Sequence, residues 1–286
     1  TLMASKKTDV YQDVKVTLHD GTVWEAKAKP RGRYRRRICD FPPVKIDFSK
    51  DDLAEAGFAE YDDLKLANYC YDNAEGKDWL LREYLAYQLF ASLTPRSFRT
   101  QLIEVTYVNT GRGGPRKLKQ YAILLEDDEE MAARLGGTQL EQFNTKWTAL
   151  EPSQANLVAG FQYMIGNTDW SVDVRHNVKL LQVPGEEELY LIPYDFDFSG
   201  LVNADYAVPD NRYSISNVRQ RHYMAPQLPS TAMCSYFKTK KEALLQTCKA
   251  FKLLSRVSRL NVIAYLEDFY EELENGEAFA MLESKW

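Results

Sequence analysis

The chain has 286 residues, of which 45% are hydrophobic and 27% charged, an ordinary globular balance that excludes a disordered or fibrous protein. Thirty-six Lys and Arg stand against 41 Asp and Glu, giving a net charge of −5, so the chain has no basic excess for gripping nucleic acid. No apolar run approaches the ~18 residues of a membrane helix, and four Cys without a CxxC, with only three His, argue against structural zinc.

The first segment reads as strands. Val14, Val16 and Leu18 alternate with Lys15, Thr17 and His19, and His19 to Thr22 form a hairpin turn into a return strand, Val23 to Lys29. Lys27, Lys29, Arg31 and Arg33 then alternate along one face, opposite Ala26, Ala28, Pro30 and Gly32. Such a stripe is either a charged, solvated edge strand or a phosphate cradle in which Arg31 takes part. Phe41-Pro42-Pro43 leads into a strand, Val44 to Phe48, with Lys45 on the face away from Val44, Ile46 and Phe48.

Residues 78–92 carry Leu81, Leu85 and Leu89 on one helical face. Glu83 lies on the same helix in a stripe with Trp79, Tyr87 and Phe90, and a carboxylate so placed needs a cation. Lys45 is one candidate, Arg82 or Arg36 others. Two strands follow, TQLIEVTYV and KQYAILLE, ending at Glu126 and separated by a Gly- and Pro-rich loop, 109–117.

Beyond Glu126 the texture turns helical: Asp127 to Leu135, residues 153–165 with Ser153 as N-cap, and amphipathic segments at 241–254 and 257–274. One hairpin interrupts them. Strands Val178 to Val183 and Leu189 to Pro193 flank a turn at Pro184 to Glu188. Centring it on Glu186 sets Asn177 opposite Asp195. Asn and Asp at a hairpin mouth offer oxygen ligands to a hard cation such as Mg²⁺, although both residues are also common strand terminators. Asp169, Asp173 and Asp197 converge on the same mouth, and packed carboxylates repel unless a cation sits among them.

The blocks RGRYRRRICDFPPVKIDF, DWLLREYLAYQLF, VTYVN, YAILLEDDEE, GNTDWSVDVRHNVKLL and LIPYDFDFSG together resemble the CotH family of atypical, secreted or spore-coat protein kinases. The resemblance covers most of residues 25–200. It implies an α+β, two-lobed protein-kinase-like fold with a β-rich N-terminal lobe (1–125) and a mainly helical C-terminal lobe (126–286) carrying a metal-site hairpin. It further implies an ATP- and Mg- (or Mn-) dependent phosphotransferase acting on a protein hydroxyl. Lys45 would contact the α/β-phosphates with Glu83 as its orienting partner, and Glu126 would end the strand entering the hinge. Asp169 would be the catalytic-loop carboxylate, with Asp173 as competitor. Asn177 and Asp195 would hold the metal, with Asp197 as competitor; Asp195, directly after its strand, is the favoured ligand.

Departures from the family pattern are also present. No GxGxxG loop occurs, which keeps open a catalytically silent surface or scaffold protein. Thr1 in place of an initiator Met is read as the trace of a removed upstream segment, which by itself says nothing of compartment; it is the resemblance that implies an exported, periplasmic or extracellular protein. Sequence leaves open whether Cys39, Cys70, Cys234 and Cys248 form two disulfides or none.

Overall fold

A computed structural model describes residues 6–111 and 116–279; part of the loop expected at 109–117 lies outside them. The chain divides into two compact units, one made of residues 1–80 and 99–131, the other of 81–98 and 132–286.

The first unit is built on β1 (Gln12–Thr17), β2 (Val23–Pro30), α1 (Arg35–Ile38), β3 (Val44–Phe48), α2 (Lys50–Glu55) and β4 (Asp63–Ala67). The helix α3 (Ala74–Leu93) begins in it, β5 (Thr100–Asn109) and β6 (Arg116–Leu125) complete the sheet, and α4 (Asp128–Arg134) leaves it. The strands form one curled antiparallel sheet, a half-barrel of six strands in the order β1-β2-β3-β4-β6-β5. Alternation explains its buried side: Ala26, Ala28 and Pro30 are buried while Glu25 and Lys27 are exposed. Ala28, Phe41, Val44, Leu66 and Ala122 make its core, with Val14, Ile46 and Tyr107 packed against them.

The basic segment does not continue as a strand through Arg33. β2 stops at Pro30, Gly32 takes φ +80°, and Arg35 to Ile38 coil into a short helix, so Arg31 and Arg33 leave the alternating face. Arg35 turns inward: its Nη2 donates to the Asn68 backbone carbonyl at 2.7 Å, and the Asn68 side-chain Oδ1 accepts from the Tyr107 hydroxyl at 2.7 Å. Beside this network Cys39 and Cys70 form a buried disulfide; Cys234 and Cys248 are free.

The second unit contains β7 (Thr138–Leu140), α5 (Pro152–Met164), β8 (Val178–Gln182), β9 (Leu189–Pro193), α6 (Thr231–Ala250) and α7 (Arg256–Asn275). The strands form an antiparallel sheet, β7-β8-β9. Glu151, not Ser153, caps α5: its carboxylate accepts from the Ser153 and Gln154 amides, and Pro152 takes the first helical position. Further on, α6 begins ten residues before the expected 241, because Ser230 caps it and Met233 and Phe237 extend its buried face. No described helix is long and apolar enough to cross a membrane.

The kinase-like architecture with a mainly helical second half is not what the chain adopts. It is a β-rich α+β protein with a curled six-stranded antiparallel sheet and 34% helix. Part of the reason lies in residues 201–230, where no helix or strand forms. Pro209, Pro226 and Pro229, with Asn203, Asp210, Asn211 and Asn217, favour turns and deny helical continuity there.

Candidate functional site

The site grows from the two ends of the β8–β9 hairpin. Its register pairs Val178 with Pro193 and Gln182 with Leu189, so Asn177 faces Tyr194 rather than Asp195. The Tyr194 amide donates to the Asn177 carbonyl at 3.0 Å. The turn holds six residues, 183–188, and its centre therefore falls between Gly185 and Glu186, half a residue from where symmetry about Glu186 puts it.

At the mouth the backbone departs from extended geometry. Asn177 has φ +53°, Asp195 φ +61° and Arg175 φ +50°. Left-handed conformations cost a side-chain-bearing residue about 1–2 kcal/mol, and they concentrate where structure is held for function. Arg175 is pinned by its guanidinium, which donates to the Leu140 carbonyl and pairs with Glu141 at 2.5 Å. Ser171 and His176 exchange two backbone hydrogen bonds of 2.9 Å, closing the 172–175 loop.

That closure turns His176 and Asn177 onto Asp169. The His176 Nε2 lies 2.8 Å from Asp169 Oδ1. The Asn177 Nδ2 donates to Asp169 Oδ2 at 3.0 Å and to the Asp169 carbonyl at 2.8 Å. From the other side the Asn167 carboxamide accepts the Asp169 amide at 3.0 Å and donates to Gln162 on α5. Both Asp169 carboxylate oxygens are thus held, on a loop braced by α5. The hydrogen bond to Asp169 raises the His176 pKa; burial opposes it, the negative charges of Asp169 and Asp195 support it, and Arg212 works against it. Arg212 is gripped by Asp210 through Nε and Nη2.

Asp195 is half-buried, and its amide donates to the Tyr87 hydroxyl at 2.8 Å. Its carboxylate has no hydrogen-bond or ion-pair partner among the described residues. Asp197, by contrast, is buried and accepts from the Tyr206 hydroxyl at 3.1 Å. Phe196 separates the two and is anchored between Tyr87 and Phe161, at ring distances of 4.8 and 5.5 Å. Asp173 is exposed at the loop tip, and its carbonyl accepts the Asn144 amide.

The structure therefore gathers Asp169, His176 and Asn177 directly, with Asp195 within electrostatic range. His176 was not among the residues singled out from sequence. A His beside the candidate ligand Asn177, seven residues after Asp169, was the available signal.

The remaining candidates sit in other settings. Lys45 Nζ pairs with Asp63 Oδ2 on β4 at 2.5 Å. Burial works against its charge, yet Asp63 and the Tyr11 hydroxyl outweigh it and hold the Lys45 pKa above its usual value. Glu126 accepts the Arg99 amide and donates its own amide to the Arg99 carbonyl, so it ties the start of β5 to the end of β6. Glu83 is buried on α3 in the second unit. The Arg31 amide donates to the Pro43 carbonyl at 2.7 Å, joining the chain after β2 to the residue before β3.

Among the described residues no group of three or more His, Cys, Asp or Glu is placed to hold a metal. A Mg²⁺ that keeps waters and phosphate oxygens needs only one or two protein carboxylates. The Asp195 carboxylate and the Asn177 carboxamide oxygen, neither with a hydrogen-bond or ion-pair partner among the described residues, fit such a partial site. Neither a comparison with models of known protein families nor one with curated proteins returns a match.

Proposed function

We propose that this chain is a metal-assisted phosphotransferase that moves the γ-phosphoryl group of ATP to a protein hydroxyl. The observation that carries the reading is Asp169, whose two carboxylate oxygens are fixed by His176 and Asn177 at a mouth shared with Asp195, whose carboxylate has no hydrogen-bond or ion-pair partner among the described residues. In this reading the acceptor oxygen attacks the γ-phosphorus, the bond to the ADP oxygen breaks, and the hydroxyl proton passes to Asp169. Asn177 holds the Asp169 carboxylate in place and keeps its own carbonyl oxygen for a cation. Asp195 supplies the anionic ligand. Bound Mg²⁺ or Mn²⁺ would neutralise phosphate charge. The buried Cys39–Cys70 disulfide supports an exported protein, since such bonds are rare in the cytosol.

A second reading, a silent binding protein, is favoured by Lys45, whose ammonium is already engaged by Asp63. One pair of measurements separates the two. ATP with Mn²⁺ should raise the melting temperature, because a ligand of the folded state stabilises it. Radiolabel from γ-labelled ATP should reach protein acceptors in wild type and be lost in Asp169→Asn. Nucleotide binding without transfer under any divalent metal would select the silent protein, and no binding would remove both the nucleotide and the enzyme.

A further inference from the structure

The loops that deliver Asp169 and Asp195 are tied to each other behind the site. The Gly200 amide donates to the Gly166 carbonyl and the Leu201 amide to the Ile165 carbonyl, both at 3.0 Å. Gly166 precedes Asp169 by three residues, and Gly200 follows Asp195 by five. Neither position has room for a side chain. A Cβ on Gly166 would lie 2.1 Å from the Tyr265 hydroxyl oxygen, and one on Gly200 would lie 2.5 Å from that same oxygen and 2.5 Å from the Val218 carbonyl. One buried hydroxyl on α7 therefore fills the space that both glycines leave.

The hydroxyl is itself oriented. It donates to the Arg219 carbonyl at 3.1 Å, and Arg219 Nη1 returns a bond to the Gly200 carbonyl at 3.3 Å and another to Asn261 of α7 at 3.2 Å. The guanidinium groups of Arg219 and Arg221 stack on the Tyr265 ring at 4.3 and 4.2 Å from its centroid. Arg221 donates to the Met164 carbonyl at the end of α5 and pairs with Glu272 at 2.8 Å. The end of α5, both glycines, Arg219 and α7 thus form one closed ring of contacts.

We propose that Tyr265 is a positioning residue for phosphoryl transfer, its hydroxyl locking Gly166 against Gly200 and so fixing Asp169 relative to Asp195. This rests on the reading of Asp169 as proton acceptor and Asp195 as metal ligand. A loop error of about 1 Å at such a site is enough to cost a large factor in rate.

Tyr265→Phe keeps the ring and its stacked arginines and removes only the hydroxyl. With ATP and Mn²⁺, kcat toward a protein acceptor should fall about tenfold while KM for ATP stays within about twofold. Hydrogen exchange at the Gly200 and Leu201 amides should speed up severalfold, with β8 and β9 unchanged; a merely global loss of stability would quicken those strands too. Arg219→Lys, which loses the planar fork, should shift both readouts in the same direction. Unchanged kcat in both variants of an active enzyme overturns the proposal, and so does unchanged exchange at Gly200 and Leu201. If wild type transfers no phosphate, the phosphotransferase reading fails, and the exchange measurement alone decides whether Tyr265 locks the loops.

Discussion

Asp169 and His176 lie seven residues apart in the chain and meet Oδ1 to Nε2 at 2.8 Å, because the Ser171–His176 bridge folds the intervening loop back on itself. The contact puts a titratable cation on the carboxylate proposed as proton acceptor.

In the metal-free protein His176 should titrate above its ordinary value of 6.5, since the Asp169 bond favours the charged ring. Replacing Asp169 with Asn should bring that midpoint down, as read from the ring proton shifts in an NMR titration. The linked stability runs with the sign of a raised pKa: it is fully present below the unfolded-state value and is lost as pH rises through the folded-state value. The stability gap between wild type and His176→Gln should accordingly close toward alkaline pH, while Asp195 and Arg212 bias it in opposite directions.

Asn177 combines φ +53° with two hydrogen bonds from its carboxamide. Asn177→Gly and Asn177→Ala both remove those bonds, but only Ala carries the left-handed penalty. Urea denaturation should therefore place the Ala variant about 1 kcal/mol below the Gly variant. Equal stability would show that the backbone relaxes when the side chain is lost.

Phe196 is fully buried between Tyr87 and Phe161. Phe196→Leu should cost roughly 1–2 kcal/mol and Phe196→Ala roughly 3–5 kcal/mol. If the ring sets where Asp195 points, even the milder variant should weaken the thermal shift produced by ATP and Mn²⁺.

The Cys39–Cys70 bond closes a loop with a sequence separation of 31. Cys39→Ser with Cys70→Ser should cost about 3–4 kcal/mol by the chain-entropy estimate. Oxidised wild type should lose a similar amount on reduction. A loss of under about 1 kcal/mol would assign the holding role to Arg35, Asn68 and Tyr107 instead.

Strand positions were legible where alternation is strong. β3 runs Val44 to Phe48 as read, and the His19–Thr22 turn joins β1 to β2. The hairpin under the site was legible as an element but not in register, since an even-numbered turn and an odd-numbered one differ only in how Gln182 meets Leu189. The wider architecture was not legible, because helical periodicity near both ends of the second half says nothing about the turn-rich 201–230 between them. At the site, the gathering of Asp169 and Asn177 could be read from the acidic and amide residues around the hairpin. His176 is missed although it stands beside Asn177; its contact with Asp169 depends on the bridge to Ser171, which sequence spacing does not report. Sequence alone also does not report that Lys45 finds Asp63, since the partner comes from the next strand, β4, whose pairing with β3 the spacing does not fix.

The first unit is discontinuous along the chain. β4 takes its second neighbour from β6, which arrives about fifty residues later, after α3 has been made. A ribosome that has released only the first hundred residues thus holds β1 to β4 with one side of β4 unpaired, an open template for another strand. Expression fragments ending before Leu125 should aggregate for that reason, whereas those ending after Met131 carry every strand of the sheet.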